Sequence, residues 1–132
     1  MKRFGLYKKQ KLCSATAIDL LFGSGGAEFS RIAYPVRAVA RRNDRRRSDA
    51  SLTFLISVPK KRLRHAVDRV LMRRRIREAF RLTHQDYPLP QGLRVDIAFI
   101  YVANGLAPYA AVQRSMIRIL EDLQKFYAQD CR

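Results

Sequence analysis

The stretch HAVDRVLMRRRIREAF, residues 65–80, carries five arginines in sixteen positions and still threads apolar residues between them. On a helix with about 100° between successive side chains, Met72, Ile76, Ala79, Phe80 and Thr83 follow an i, i+4, i+7, i+8, i+11 pattern and share one packing face. Val70, Arg73, Arg74, Arg77 and Arg81 fall within a sector of about 100° on the opposite side. The spacing predicts a two-faced helix, with one side for a core and the other for water or a partner. Like charges at i, i+4 repel, so Arg73, Arg77 and Arg81 strain against one another in the free protein. Glu78 offsets part of that repulsion by pairing with Arg74 or Arg75. Asp68 and Glu78 together cannot balance the ten Lys and Arg of residues 60–81.

A helix of this kind needs surfaces to pack on, and its flanks supply them. Upstream, AYPVRAVARR (33–42) and SLTFLISV (51–58) are β-rich runs separated by the polar NDRRRSDA, which reads as two strands and an arginine-rich loop. Downstream, LRVDIAFIYV (93–102) is rich in Val, Ile, Phe and Tyr and forms another strand. The arginine-rich helix therefore spans the interval between two strands, as a crossover does. Near the N-terminus, SATAIDLLFGSGG offers Ser14 as an N-cap, puts Ile18, Leu21 and Phe22 on one face and stops at Gly23. At the other end, APYAAVQRSMIRILEDLQKFYA (107–128) begins with Pro108 and carries Val112, Met116, Ile119, Leu120, Leu123 and Tyr127 at helical spacing. With no repeat, linker or compositional break, 132 residues make a single domain, 1–132, around one core.

The charge balance speaks about partners. There are 27 Lys and Arg against 11 Asp and Glu, a formal charge of +16 and a pI near 10.9. Of the 27, twenty lie in three clusters, at residues 1–11, 41–47 and 60–81. Clustered charge of one sign builds a local field that draws a polyanion. A membrane surface would ask in addition for a broad exposed apolar face. No apolar run approaches the roughly 18 residues of a membrane span, and MKRFGLYKKQKL lacks the apolar stretch of a signal peptide. The expectation is a cytoplasmic protein with no membrane partner. The preference for Arg over Lys favours nucleic acid, because a guanidinium grips phosphate through two parallel hydrogen bonds and stacks on bases. DNA and RNA both remain open at this point.

Chemistry carried by the polypeptide itself finds little support. His65 and His84 flank the arginine-rich helix with no Ser, Cys or carboxylate at a catalytic spacing, and read as surface or capping residues. Eleven scattered carboxylates, with Cys13 and Cys131 far apart, present no metal-ligand cluster, and both cysteines read as reduced thiols. No catalytic residue, cofactor or metal ligand is expected on the protein.

The stretch KKRLRHAVDRVLMRRRIREAF (60–80) resembles the signature of the bacterial ribonuclease P protein subunit, a Lys, then Ala-Val, then Arg-Asn-Arg, then two basic residues and a further Arg-Glu. Lys61, Ala66, Val67, Arg69, Arg73, Arg74, Arg77 and Glu78 match it, and the order of elements agrees over nearly the whole chain. Val70 and Leu71 stand where the family has Asn and Arg, and Ile18 stands at a place the family gives to an aromatic. The resemblance implies an α/β (α+β) two-layer sandwich: a small mixed sheet with an N-terminal helix, a basic crossover helix in an unusual left-handed connection, and a C-terminal helix. It also implies a role as the protein subunit of ribonuclease P, monomeric in itself, binding the catalytic RNA and the 5′ leader of precursor tRNA while the RNA and its magnesium ions cut. Lys61, Arg62, Arg69, Arg73, Arg74, Arg77 and Arg81 would meet the catalytic RNA. Phe22 and Tyr34 would line the leader cleft, where aromatic rings stack on single-stranded bases. The competing reading is a general or ribosome-associated basic RNA-binding protein without a processing role.

Overall fold

In the computed structural model, residues 28–42, 52–89 and 93–130 are described. They form β1 (Phe29–Ala33), β2 (Val36–Arg42), β3 (Leu52–Ser57), α1 (Ala66–Thr83), β4 (Val95–Tyr101) and α2 (Tyr109–Asp130), with one 3-10 turn, His84–Asp86, closing α1. The helix expected over residues 14–22 and the arginine-rich loop at 43–50 lie outside the described residues. The strands join in the order β1-β2-β4-β3. β1 and β2 are antiparallel, as are β2 and β4, whereas β3 runs parallel to β4 with Leu52 opposite Val95 and Ser57 opposite Ile100. Parallel neighbours cannot be joined by a tight turn, so the chain crosses over through α1.

β1 was not expected as a separate strand. The run 33–42 contains Pro35, which lacks an N–H for a ladder. The chain reverses there, through a cis Tyr34–Pro35 peptide bond, so that Ala33 faces Val36 in a hairpin. FSRIA is only five residues long and half polar, too short for its period-2 signal to stand out.

Alternate residues send one face of the sheet into the core. Val36, Ala38 and Ala40 of β2, Val95, Ile97, Phe99 and Tyr101 of β4, and Leu52 and Phe54 of β3 pack in one cluster with buried residues of both helices. The mixed sheet with helices on that face is the two-layer α+β arrangement expected. α1 contributes Met72, Ile76, Ala79, Phe80 and Thr83, the five residues of the predicted packing face. Phe80 is the hub: its ring lies 4.8 Å from that of Phe54, 5.4 Å from Phe99 and 4.8 Å from the stacked imidazole of His84. α2 buries Val112, Met116, Ile119, Leu120, Leu123 and Tyr127, again the predicted stripe. A second stripe of α2 holds the hairpin: the Ser115 hydroxyl donates to the Ala33 carbonyl, Asp122 pairs with Arg31 at 2.8 Å, and Phe126 meets Phe29 at 5.6 Å.

The other face of the sheet carries a polar row, buried at Thr53 and Asp96 and half-buried at Arg41. Thr53, Asp96 and Arg41 are in register across β3, β4 and β2, and the Thr53 hydroxyl donates to the Asp96 carboxylate. Hydrogen bonding is what allows that carboxylate, 3% exposed, to be buried.

Candidate nucleic-acid interface

The basic residues around α1 separate into two groups by what their side chains touch. Arg73, Arg74 and Arg77 are exposed and make no hydrogen bond or ion pair among the described residues, and the same holds for Lys61. All three arginines lie outside the packed face fixed by Phe80 and its neighbours, with Arg74 opposite it and Arg73 flanking the Phe80 edge. Arg77 thus lies about one helical turn from Arg73 and from Arg74, and no described residue satisfies the donors of the three guanidinium groups.

The remaining candidates are engaged. Arg69 donates to the carbonyls of Leu63 and Arg64 at 2.9 and 2.8 Å, tying the helix to the turn before it. Arg62 donates to Asn104 at 2.8 Å. Arg81 pairs with Glu78, its Nε 2.9 Å from Oε2, with a second contact between Nη2 and Oε1. Glu78 was expected on Arg74 or Arg75, and the difference has a cause. Arg75 turns away to donate to the Ala107 carbonyl, with Met72 Sδ at 3.8 Å, while Arg81 lies one turn on from Glu78 on the same side. The hydrogen bond from Arg81 holds the Glu78 carboxyl below the usual carboxylate range, and the same bond raises Arg81.

Lys61 and Tyr34 lie in segments at the same end of the sheet, on either side of β4. The register sets Val36 opposite Tyr101, and Ser57 opposite Ile100, so the β1–β2 turn, the 102–108 loop and the segment 58–65 share that end. Val102 N–H donates to the Pro35 carbonyl at 2.9 Å, the Tyr101 hydroxyl to the Gly105 carbonyl, and Arg62 to Asn104 across the same loop. Burial pushes the Tyr101 phenol above its ordinary range, against a backbone hydrogen bond from Ala107. Tyr34 projects from this end, 73% exposed. Its proposed companion, Phe22, lies outside the described residues.

Lys60 and Arg64 are also exposed and unengaged among the described residues, although they were not singled out from the sequence. Both sit inside the 60–81 cluster, so local charge density was the signal available. His65 precedes α1 without a side-chain cap, and His84 Nδ1 lies 2.9 Å from the Phe80 carbonyl. Among the described residues, no three His, Cys, Asp or Glu side chains gather as a metal site would require, and no helix is long and apolar enough to cross a membrane.

Comparison with known proteins agrees with this arrangement. The family model described as Ribonuclease P matches residues 6–124. Two proteins from strains of Porphyromonas gingivalis, each named Ribonuclease P protein component, are 36% identical over 120 residues, covering 89% of this chain and 85% of theirs. A match that runs through the sheet, the arginine-bearing α1 and most of α2 takes in the fold and the exposed ridge alike, and the chain belongs to the ribonuclease P protein family.

Proposed function

We propose that this chain is the protein component of ribonuclease P, acting in 5′ maturation of tRNA. The observation that carries the proposal is the ridge of Arg73, Arg74 and Arg77, exposed and unengaged among the described residues, on a helix whose packed side is locked into the core. Such donors suit the phosphates of a folded RNA, whose catalytic fold would dock along α1 with Lys61 extending the contact. Arg62, Arg69 and Arg81 reinforce the positive field and, through their own hydrogen bonds, hold the segment in shape. Tyr34, with Phe22, would stack on the 5′ leader of precursor tRNA. The polypeptide supplies no catalytic group and holds no metal; hydrolysis of the phosphodiester falls to the RNA subunit with its magnesium ions. The chain would work as one domain over residues 1–132, as a monomer, in the cytoplasm and away from membranes.

Reconstitution tests this. The protein added to its own ribonuclease P RNA at low magnesium should restore cleavage of precursor tRNA, while the protein alone, treated with nuclease to strip bound RNA, should cleave nothing. RNA binding without any rescue of cleavage would make the chain a general RNA-binding protein. Cleavage by the RNA-free polypeptide would make it a nuclease in its own right.

A further inference from the structure

The outer face of α1 is not basic along its whole length. Val67 is 79% exposed and Val70 36% exposed, and Leu71 beside them is half-buried. At i, i+3 and i+4 these three form one patch about a turn long. Arg74 and Arg77 continue the same stripe, at i+7 and i+10 from Val67. One exposed valine on a surface means nothing. Two neighbouring valines that head a row of unengaged guanidinium groups form a composite surface: an aliphatic step, then fixed positive charge.

A partner that fits both parts must carry anionic groups and an apolar surface within a few ångströms of one another. A nucleotide does, with its phosphate beside the flat faces of ribose and base. A lipid surface also has both, but it would need the apolar part to widen along the helix, whereas here it ends after one turn and gives way to arginine. Neither Val nor Leu has a side-chain donor or acceptor, so the side chains of the step make contact by shape alone, while Val67, in the first turn of α1, keeps a backbone N–H with no acceptor within the helix.

We infer that Val67 and Val70 form an apolar step on which one unstacked nucleotide of the bound RNA rests, its ribose or base face against the valine methyls, while Arg74 and Arg77 hold neighbouring phosphates. This rests on the reading of α1 as the RNA-facing helix. Where the family pattern has Asn and Arg, with hydrogen-bonding side chains, this chain has Val70 and Leu71. The step would thus replace a polar contact with one that does not read base identity.

The test uses the full chain and the ribonuclease P RNA of the same organism, titrated calorimetrically at several salt concentrations and temperatures. The double variant Val67→Ser, Val70→Ser should keep the melting temperature of the parent, since both side chains are exposed. It should lose about tenfold in affinity at every salt concentration, equivalent to about 1.4 kcal/mol. Its plot of log affinity against log salt should run parallel to the parent's, because no phosphate contact is removed. Its heat-capacity change on binding should be less negative, because less apolar surface is buried. Val67→Ile, Val70→Ile should keep parental affinity, which separates an apolar contact from a general intolerance of change at these positions. Affinity of the serine variant within twofold of the parent would overturn the inference. So would a loss that comes with a flattened salt slope, or a loss confined to binding of phosphatidylglycerol vesicles. If the parent chain itself fails to bind the RNA, the docking role of α1 falls and the step falls with it; if the parent binds and the serine variant binds equally, only the step is lost.

Discussion

Arg77 and Phe80 stand three positions apart on one helix, and their substitutions should separate function from stability. Arg77→Ala removes an exposed charge that repels its neighbours, so the fold should persist. RNA binding should weaken, and the magnitude of the salt slope should fall by about 0.7 to 0.9, the value of one lost phosphate contact. Phe80→Ala removes the ring at the hub of three aromatic contacts in a fully buried position. It should cost roughly 3–5 kcal/mol of stability, with any binding deficit vanishing once the folded fraction is taken into account. Thermal melts paired with RNA titrations measure both. An Arg77→Ala protein that unfolds, beside a stable Phe80→Ala protein that cannot bind, would mean the two faces of α1 are exchanged.

Within the element, charge alone does not say what an arginine does. Arg75 follows Arg73 and Arg74 in an unbroken run, yet it is half-buried and spends its donor on the Ala107 carbonyl. Arg75→Ala should therefore behave as the inverse of Arg77→Ala: a loss of about 1.5–3 kcal/mol, the usual range for a hydrogen bond to a charged group, with the salt slope unchanged. A flattened slope in that variant would make Arg75 a phosphate contact and refute its role as a strut. Periodicity made the packed face of α1 legible down to all five residues, and the α2 stripe likewise, because burial follows the helical repeat directly. It could not reveal that Arg75 reaches a carbonyl 32 residues away, or that Arg62 meets Asn104, since those partners exist only after the chain has crossed over. The hairpin at Tyr34–Pro35 was obscured for another reason. A proline inside a β-rich run was the sign of a turn, but the five-residue strand before it was too short to declare itself.

At the scale of the whole molecule, a net charge of +16 on 132 residues is a burden that the free protein carries without its partner. Among the described residues, several cations stay unengaged, so self-repulsion is not fully relieved from within. Raising sodium chloride from about 10 mM to about 150 mM shortens the screening length from roughly 30 Å to 8 Å. The melting temperature of the RNA-free chain should climb over that interval, while affinity for RNA drops. A melting temperature that falls with added salt would show that internal ion pairs such as Arg31–Asp122 outweigh the repulsion.

The parallel pairing of β3 with β4 also has a meaning in time. Leu52 and its partner Val95 are separated by the whole of α1, so the strand on which the helix depends is made after the helix itself. At about 5–20 residues per second of synthesis, the interval between Thr83 and Tyr101 lasts on the order of a second or more, and α2 completes later still. For that span a nascent, two-sided cation has Met72, Ile76 and Phe80 without their final neighbours. Non-local closure of this kind is intrinsically slow, and the exposed ring of a polypeptide waiting for its floor invites aggregation. Positive charge along the outer side answers that hazard, because nascent copies that would otherwise associate through their unburied sides repel one another until the last strand arrives.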